Sequence, residues 1–253
     1  MLTRAKLLEA TDPRAYIESA LAQKQFSLYA QPMLALKGTQ EFPMAELLVR
    51  MHEEENALLP LGDFFHIFEA FRMMPELDRW VVREALGRMR SHTAFKSLCI
   101  NVAKQTIEDA HFPAYVAGEL KLAGIPAERL TFEITEKNAM ASLKATRIFS
   151  EGIRAVGASL LIEDFSCTQA SFDLLSIVGA NYVKVDGGIV RKLGFSDAAK
   201  ALVGNVVRMA AARALRVIGA AVEDRGTLGL LRQSGVDFAQ GYGVCRPAAF
   251  QTP

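Results

Sequence analysis

Short apolar runs alternate with longer amphipathic segments along almost the whole chain. The short runs, rich in β-branched and aromatic residues, are predicted as strands, and the longer segments as helices. The later strands are apolar on both sides, which is typical of a parallel sheet covered by helices. The eight predicted strands are FSLYAQP (26–32), AELLVRM (45–51), SLCIN (97–101), LTFEI (130–134), ASLLIED (158–164), NYVKVD (181–186), LRVIGA (215–220) and VDFAQG (236–241).

This alternation over 253 residues predicts an α/β fold, a TIM-like (β/α)8 barrel, with a doubly wound open sheet as the alternative. Residues 1–20 are predicted as a helical lead-in or linker, and residues 21–253 as one barrel domain. The connection at 35–44 contains Gly38 and Pro43, so it has the composition of a hairpin and allows an antiparallel first strand.

Two amphipathic segments carry clear helix signals. In residues 77–92 the apolar side chains recur at helical spacing, which predicts a buried face. In residues 196–214 a serine precedes the apolar pattern and is placed to cap the first turn. The residues concerned are Leu77, Trp80, Val81 and Leu86 in the first segment and Ser196 in the second.

Composition narrows the class of protein. Hydrophobic residues make up 51% of the chain and charged residues 23%, which is typical of a soluble globular domain. A net charge of +1 argues against a long nucleic acid as partner, because that function needs a basic face. Three cysteines without CxxC spacing predict a reduced, cytoplasmic protein, and the charged N-terminal segment predicts no membrane segment.

Acidic and amide residues fall within the predicted strands or at their carboxyl ends. In a TIM barrel these ends meet at one mouth, where active sites are built. Carboxylate and amide oxygens suit Mg²⁺ or Mn²⁺, and two such ions about 4 Å apart can clamp a phosphodiester during hydrolysis. The sequence therefore predicts a phosphate-handling site. Its candidate residues are Glu46, Asn101, Glu133, Glu136, Glu163, Asp164, Lys184 and Gln240.

Other hydrolytic chemistries lack their motifs in this chain. The histidines are dispersed, and no HExxH or His-Cys ligand spacing is present, which argues against a zinc hydrolase. A GxSxG elbow and a Walker A loop are absent as well. The four histidines, predicted to be surface or helix-packing residues, are His52, His66, His92 and His111.

Eight segments, in order from about Ala20 to Pro247, resemble the signature segments of the EAL family of cyclic di-GMP phosphodiesterases. Any one similarity is weak, but eight in order at family-like spacing are strong. YAQPM is similar to the Q-P segment, AELLVRM to E-A-L-L/V-R, CINVA to V-N-x-S, FEITE to E-x-T-E, IEDFSCT to D-D-F-G-T-G, VKVD to K-x-D, GAAVED to A-E-G-V-E, and AQGYGVCRP to Q-G-Y…P.

The resemblance implies roles for individual residues. Metal ions would be bound by Glu46, Asn101, Glu133, Glu163 and Asp164. The catalytic residues would be Lys184, which orients water or phosphate, and Glu136, which braces the loop after the fifth predicted strand. The residues implied for cyclic di-GMP binding are Gln31, Leu48, Arg50, Asp186, Glu223, Gln240 and Pro247.

The departures from the family pattern indicate a degenerate member. Ala220 stands where A-E-G-V-E has its glutamate, which removes a ligand of the second metal. Glu163 replaces the first aspartate of the paired acids, and the longer side chain displaces a carboxylate that would bridge two metals. Ser166, Cys167 and Thr168 replace G-T-G and remove two flexible glycines. We expect one weak Mg²⁺ or Mn²⁺ site and ligand binding that needs no metal.

Three functions remain as hypotheses. The first is a receptor that binds cyclic di-GMP with little or no hydrolysis, because the dinucleotide-lining residues persist while the metal ligands do not. The second is an active phosphodiesterase that produces pGpG, and the third is a ligand-free protein-interaction scaffold. The resemblance also implies a protein partner or fused signalling domains, and it allows a homodimer.

Overall fold

The computed structural model describes residues 12–22, 25–52, 58–60, 62–91 and 94–250. Its strands are β1 (Phe26–Ala35), β2 (Met44–His52), β3 (Leu58–Pro60), β4 (Ser97–Asn101), β5 (Leu130–Thr135), β6 (Ser159–Phe165), β7 (Tyr182–Val185), β8 (Arg216–Gly219), β9 (Phe238–Ala239) and β10 (Ala248–Ala249).

The helices mostly follow the strands and cover the outside of the sheet. They are α1 (Pro13–Ala22), α2 (Gly62–Ala70), α3 (Met74–Met89), α4 (Lys104–Ile107), α5 (Phe112–Ala123), α6 (Glu136–Ala141), α7 (Leu143–Val156), α8 (Gln169–Ile177), α9 (Gly187–Val190), α10 (Asp197–Ala212) and α11 (Arg225–Gln233). A short 3₁₀ helix, Ala127–Arg129, precedes β5.

Eight strands close into a barrel through β1. This strand pairs antiparallel with β2 on one side and with β9 on the other. The remaining neighbours, from β2 through β4 to β9, pair in parallel. The two short strands β3 and β10 extend β2 and β1 as antiparallel pairs. The predicted TIM-like barrel and its antiparallel first strand are therefore confirmed, and the open-sheet alternative is wrong.

Each of the eight predicted strands corresponds to a barrel strand, whereas β3 and β10 were not predicted. The first barrel strand runs three residues beyond its predicted end at residue 32, and the last strand, predicted over 236–241, is observed only over Phe238–Ala239. It ends early because the chain turns at Gly241, whose carbonyl accepts hydrogen bonds from the amides of Val244 and Cys245.

The helix signals in the sequence correspond to packing in the structure. The apolar side chains predicted for the buried face of α3 are all buried, and Ser196 caps α10 by accepting a 3.2 Å hydrogen bond from the Ala199 amide. Between the sheet and the helices, Phe112, Phe132 and Phe149 form an aromatic group with ring centroids 5.8–6.5 Å apart. Aromatic packing of this kind holds the helices against the outside of the sheet. The site is formed at the carboxyl ends of the strands.

The N-terminal region contributes to the packing from α1 onward, because Ile17 and Ala20 are buried. Residues 1–11 lie outside the described part of the chain, and the division between a lead-in and a barrel domain at residue 20 stays a prediction. Among the described residues, no helix has the length and apolar character needed to cross a membrane. All three cysteines are free thiols.

Candidate functional site

Glu46 is the centre of the polar cluster at the barrel mouth. Its Oε1 accepts a 2.8 Å hydrogen bond from Asn101 Nδ2, and its Oε2 accepts bonds from Lys184 Nζ at 2.9 Å and Gln240 Nε2 at 2.8 Å. Gln240 also reaches Gln31 Oε1 at 3.4 Å. Since β1, β2, β4 and β7 and the turn after β9 each supply one of these side chains, the barrel itself assembles the cluster.

Lys184 is buried between two carboxylates. Its ammonium contacts Glu133 Oε1 as well as Glu46. Glu133 is completely buried, and neither of its oxygens accepts a hydrogen bond of ordinary geometry from the described residues. Two acids thus share one cation, so the cluster keeps an excess of negative charge or a proton.

Burial and the shared cation set the ionisation of the cluster. Burial raises the pKa of Glu133 well above its usual range, because the Lys184 ammonium does not offset both burial and the repulsion from Glu46 and Glu163. Burial also opposes ionisation of Glu46, but Lys184 and the hydrogen bonds from Asn101 and Gln240 lower its pKa. Burial would lower the pKa of Lys184, but Glu133 and Glu46 hold it well above its usual value.

The acidic loop, Glu163–Thr168, continues the cluster from the end of β6. Burial raises the pKa of Glu163, and burial together with Asp186 raises that of Asp164. Asp186 caps α9 by accepting hydrogen bonds from the amides of Gly188 and Ile189 at 2.8 and 3.3 Å. Asp186 is therefore placed as a helix cap beside the acidic loop.

Two cavities open at the mouth and meet at Glu46, Leu48 and Glu163, which line both of them. The larger, of 540 Å³, is mainly apolar and extends towards α2 and α3. The smaller, of 360 Å³, is more polar and lies over Lys184 and the turn after β9. Volumes of this size are typical of small-molecule sites.

The cavities gather most of the predicted ligand-binding residues. Gln31, Glu223 and Gln240 line the smaller cavity, and Leu48 lines both. Arg50 lines the larger one, donates to its neighbour's carbonyl oxygen at 2.9 Å, and forms no ion pair with a carboxylate of the described residues. Pro247, Asp186 and the catalytic candidate Glu136 line neither cavity.

The histidine predictions are tested for two of the four residues. His66 and His111 are exposed, as expected for surface residues, and the side chains of His52 and His92 lie outside the described residues. Histidine therefore contributes nothing to the described site.

Three residues of the site were missed from the sequence. Tyr242, whose ring lies 4.9 Å from the Arg246 guanidinium, lines the smaller cavity, and its position between two glycines was the available signal. Asp78 lines the larger cavity; an acid on the apolar face of a predicted helix could have marked it. Ala221 also lines the smaller cavity and has a left-handed φ of 52°, which the sequence does not predict because alanine rarely adopts this conformation.

The donors suit a divalent cation in kind, because Glu46, Asn101 and Glu133 offer hard oxygen atoms and neither Glu133 oxygen accepts a hydrogen bond of ordinary geometry from the described residues. Within the described residues, however, no three His, Cys, Asp or Glu side chains converge in metal-binding geometry. The Lys184 ammonium already contacts both acids, so a bound ion would have to share them. Ala220 lines the smaller cavity together with Lys184 and offers it only a methyl group.

Fold and site together define a closed β/α barrel with an acidic, amide-rich mouth. A family model described as the EAL domain matches residues 14–247, and the chain belongs to this family, as its eight segments predicted.

Over 234 residues the chain is 27% identical to the cyclic di-GMP phosphodiesterase PdeF of Escherichia coli. That match covers 91% of this chain and 31% of PdeF, so the chain spans less than a third of that relative.

Two solved structures share the fold. The FimX EAL domain of Xanthomonas citri in complex with c-diGMP superposes with a TM-score of 0.86 at 22% identity, covering 98% of this chain and 96% of that one. The FimX EAL domain of Pseudomonas aeruginosa bound to c-di-GMP gives 0.86 at 24% identity, covering 94% and 98%.

Proposed function

We propose that this domain binds cyclic di-GMP as a receptor and hydrolyses it slowly or not at all. The observation that carries the proposal is the arrangement around Lys184. Its ammonium contacts both acids expected to hold a first metal, and Ala220 provides no donor for a second. A two-metal hydrolase that loses one ion loses several kcal/mol of charge stabilisation, and each 1.4 kcal/mol is about tenfold in rate.

The ligand site itself persists in this proposal. The two cavities meet at Glu46 and Leu48, so one elongated dinucleotide can place a base in each. Arg50, without a carboxylate partner in the described residues, is available for a charge-assisted hydrogen bond to a phosphate. Tyr242 offers an exposed aromatic face to a base in the smaller cavity.

Related proteins support the choice of cyclic di-GMP as the ligand. The FimX EAL domains were solved with c-di-GMP bound, and PdeF is named a phosphodiesterase. Because the chain spans less than a third of PdeF, the output of the receptor is proposed to pass to a protein partner or to fused signalling domains. A homodimer would provide a further route for the signal.

A second candidate function is hydrolysis at a single metal. It is favoured by the two Glu133 oxygens, which are buried and accept no hydrogen bond of ordinary geometry from the described residues. In this case Glu46, Asn101 and Glu133 would hold one Mg²⁺ or Mn²⁺, which would supply charge stabilisation to the phosphodiester. Lys184 would then orient the water or the phosphate, and Glu136 would hold the acidic loop.

Calorimetric titration of cyclic di-GMP in EDTA, in Mg²⁺ and in Mn²⁺, followed by analysis for pGpG, separates the candidates. The receptor is expected to bind with similar affinity in all three buffers and to form little pGpG. A strict requirement for metal or rapid pGpG formation would refute the proposal, and no binding in any buffer would favour the scaffold hypothesis.

Arg50→Ala is expected to weaken cyclic di-GMP binding by about 1–3 kcal/mol, because it removes a charge-assisted hydrogen bond to the ligand. The matched control is Arg147→Ala, which removes an exposed arginine paired with Glu151 on α7, outside both cavities. The control should bind as the parent does. Unchanged affinity in Arg50→Ala would remove this residue from the site.

A further inference from the structure

The acidic loop holds an unfavourable backbone conformation. Asp164 and Cys167 both have left-handed φ values, of 52° and 59°. Neither is glycine, so the Cβ of each crowds its own backbone, and such residues persist only where the surroundings hold them. Four residues thus contain two strained positions, and one of them carries a carboxylate that lines the smaller cavity.

Glu136 provides the restraint from the start of α6. Its Oε2 accepts a 2.8 Å hydrogen bond from the Ser166 amide, and its Oε1 accepts bonds from the hydroxyls of Ser166 at 2.6 Å and Ser171 at 3.0 Å. The two hydroxyls are 3.0 Å apart. We refer to Glu136, Ser166 and Ser171 as the serine latch.

The latch is anchored at both ends in regular structure. Ser171 belongs to the first turn of α8, where it forms a capping box with Thr168, whose amide donates to Ser171 Oγ at 3.0 Å. Phe165 is fully buried against Phe172 of the same helix, with ring centroids 5.6 Å apart. Side chains from α6 and α8 therefore hold the strained segment. Ser166 connects this segment to Glu136 through both its backbone amide and its hydroxyl.

We propose that Ser166 is a positioning residue, whose hydroxyl holds the acidic loop so that Asp164 faces the dinucleotide cavity. The EAL motif has glycine at this position, and glycine can supply the amide bond but not the hydroxyl bond. The loop of this chain is thereby fixed before any ligand arrives. The proposal rests on the proposed receptor function for its ligand, whereas the latch itself is independent of that function.

The first test measures amide hydrogen exchange of the ligand-free protein in the parent, Ser166→Ala and Ser166→Thr. The direct reporters are the amides of residue 166 and Thr168, which donate within the latch. Loss of one hydrogen bond to a carboxylate should speed their exchange at least about tenfold in the alanine variant. The threonine variant retains a hydroxyl and should exchange within about twofold of the parent.

The matched control is Ser234→Ala. In the parent, the Ser234 hydroxyl donates a 2.9 Å hydrogen bond to the Leu230 carbonyl at the end of α11. This variant should leave the exchange of residues 163–168 unchanged. Unchanged exchange in Ser166→Ala, or an equal increase in Ser234→Ala, would overturn the proposal. Ser166→Gly also frees the backbone, so the amides of its acidic loop should exchange faster than those of the alanine variant. Slower exchange in the glycine variant than in the alanine variant would count against the proposal.

A second readout separates positioning from simple stability. The affinity for cyclic di-GMP in EDTA should fall about tenfold in Ser166→Ala and recover in Ser166→Thr. A lowered melting temperature with unchanged affinity would reduce Ser166 to a structural residue and overturn the proposal. A parent that binds no cyclic di-GMP, together with a loop that still loosens in Ser166→Ala, would refute the receptor function and support the latch.

Discussion

Glu46 accepts hydrogen bonds from three side chains that are 55, 138 and 194 residues away in sequence. The sequence predicts that such a residue belongs to a site, because an acid within a predicted strand differs from its apolar neighbours. Its partners are readable only in part. Lys184 pairs with both Glu46 and Glu133 because of the tilt and register of the barrel strands. Tilt and register depend on all the strands together, so they cannot be predicted from the sequence of one strand.

The double variant Ala220→Glu with Glu163→Asp should gain metal-dependent hydrolysis. Both positions line the smaller cavity with Lys184, so the double variant adds a carboxylate at position 220 and shortens the one at position 163. Because both would ligate one ion, their effects should be more than additive. The measurement is pGpG formation in Mn²⁺ and Mg²⁺ against the parent.

The control for this variant is Ala220→Gln with Glu163→Asp, which matches size but not charge and should stay inactive. A folded double variant that binds cyclic di-GMP without turnover would assign the block to the acidic loop. Rapid turnover by the parent would refute the receptor function.

At the scale of elements, Asp78 connects α3 to the segment that follows β4. Its Oδ2 accepts hydrogen bonds from the Ala103 amide at 3.0 Å and the Thr106 hydroxyl at 2.6 Å. This holds the start of α4 against α3, directly after Asn101. Burial raises the pKa of Asp78 from 3.8 to about 7, and the two hydrogen bonds only partly offset it.

Asp78→Asn should flatten the dependence of stability on pH. In the parent, the raised pKa means that the folded state favours protonated Asp78. The contribution of Asp78 to the free energy of unfolding is therefore fully present below pH 3.8 and is lost as the pH rises through about 7. The parent should therefore lose on the order of 2–4 kcal/mol relative to the variant across that interval. Urea unfolding from pH 4 to 8 measures the difference, and parallel curves for the two proteins would contradict this role.

The strands and helices could be predicted well where the spacing of apolar residues and the capping residues indicated the same boundaries. The strand SLCIN matches β4 residue for residue, and α10 begins directly after the predicted cap Ser196. The short strands β3 and β10 escaped prediction because each has at most three residues, too few to establish a period. The helix predicted from Leu77 starts at Met74, since proline at the second position of α3 suits a first turn better than an interruption.

For the whole molecule, ligand binding should stabilise the fold without metal. The two cavities are lined by β1, β2, β4, β6, β7 and the turn after β9, so a ligand bound in both would connect elements from most of the barrel. At a free ligand concentration of 100 Kd, the free energy of unfolding should rise by about 2.7 kcal/mol. Thermal and urea unfolding with cyclic di-GMP in EDTA test this.

GMP at the same concentration is the matched control and should stabilise much less, because it occupies only one of the two cavities. Stabilisation that appears only after Mn²⁺ is added would contradict a metal-independent receptor.

The position of β1 between β2 and β9 also bears on how the chain is synthesised. The hairpin of β1 and β2 can form early, but the other edge of β1 has no barrel neighbour until Phe238 and Ala239 have left the ribosome. The same delay applies to the contact between Gln31 and Gln240, 209 residues apart. Pairings so distant in sequence form slowly, and an open strand edge can pair with other chains. During translation, β1 therefore keeps an open edge until the last barrel strand is made, and a chaperone that covers this edge would protect the chain.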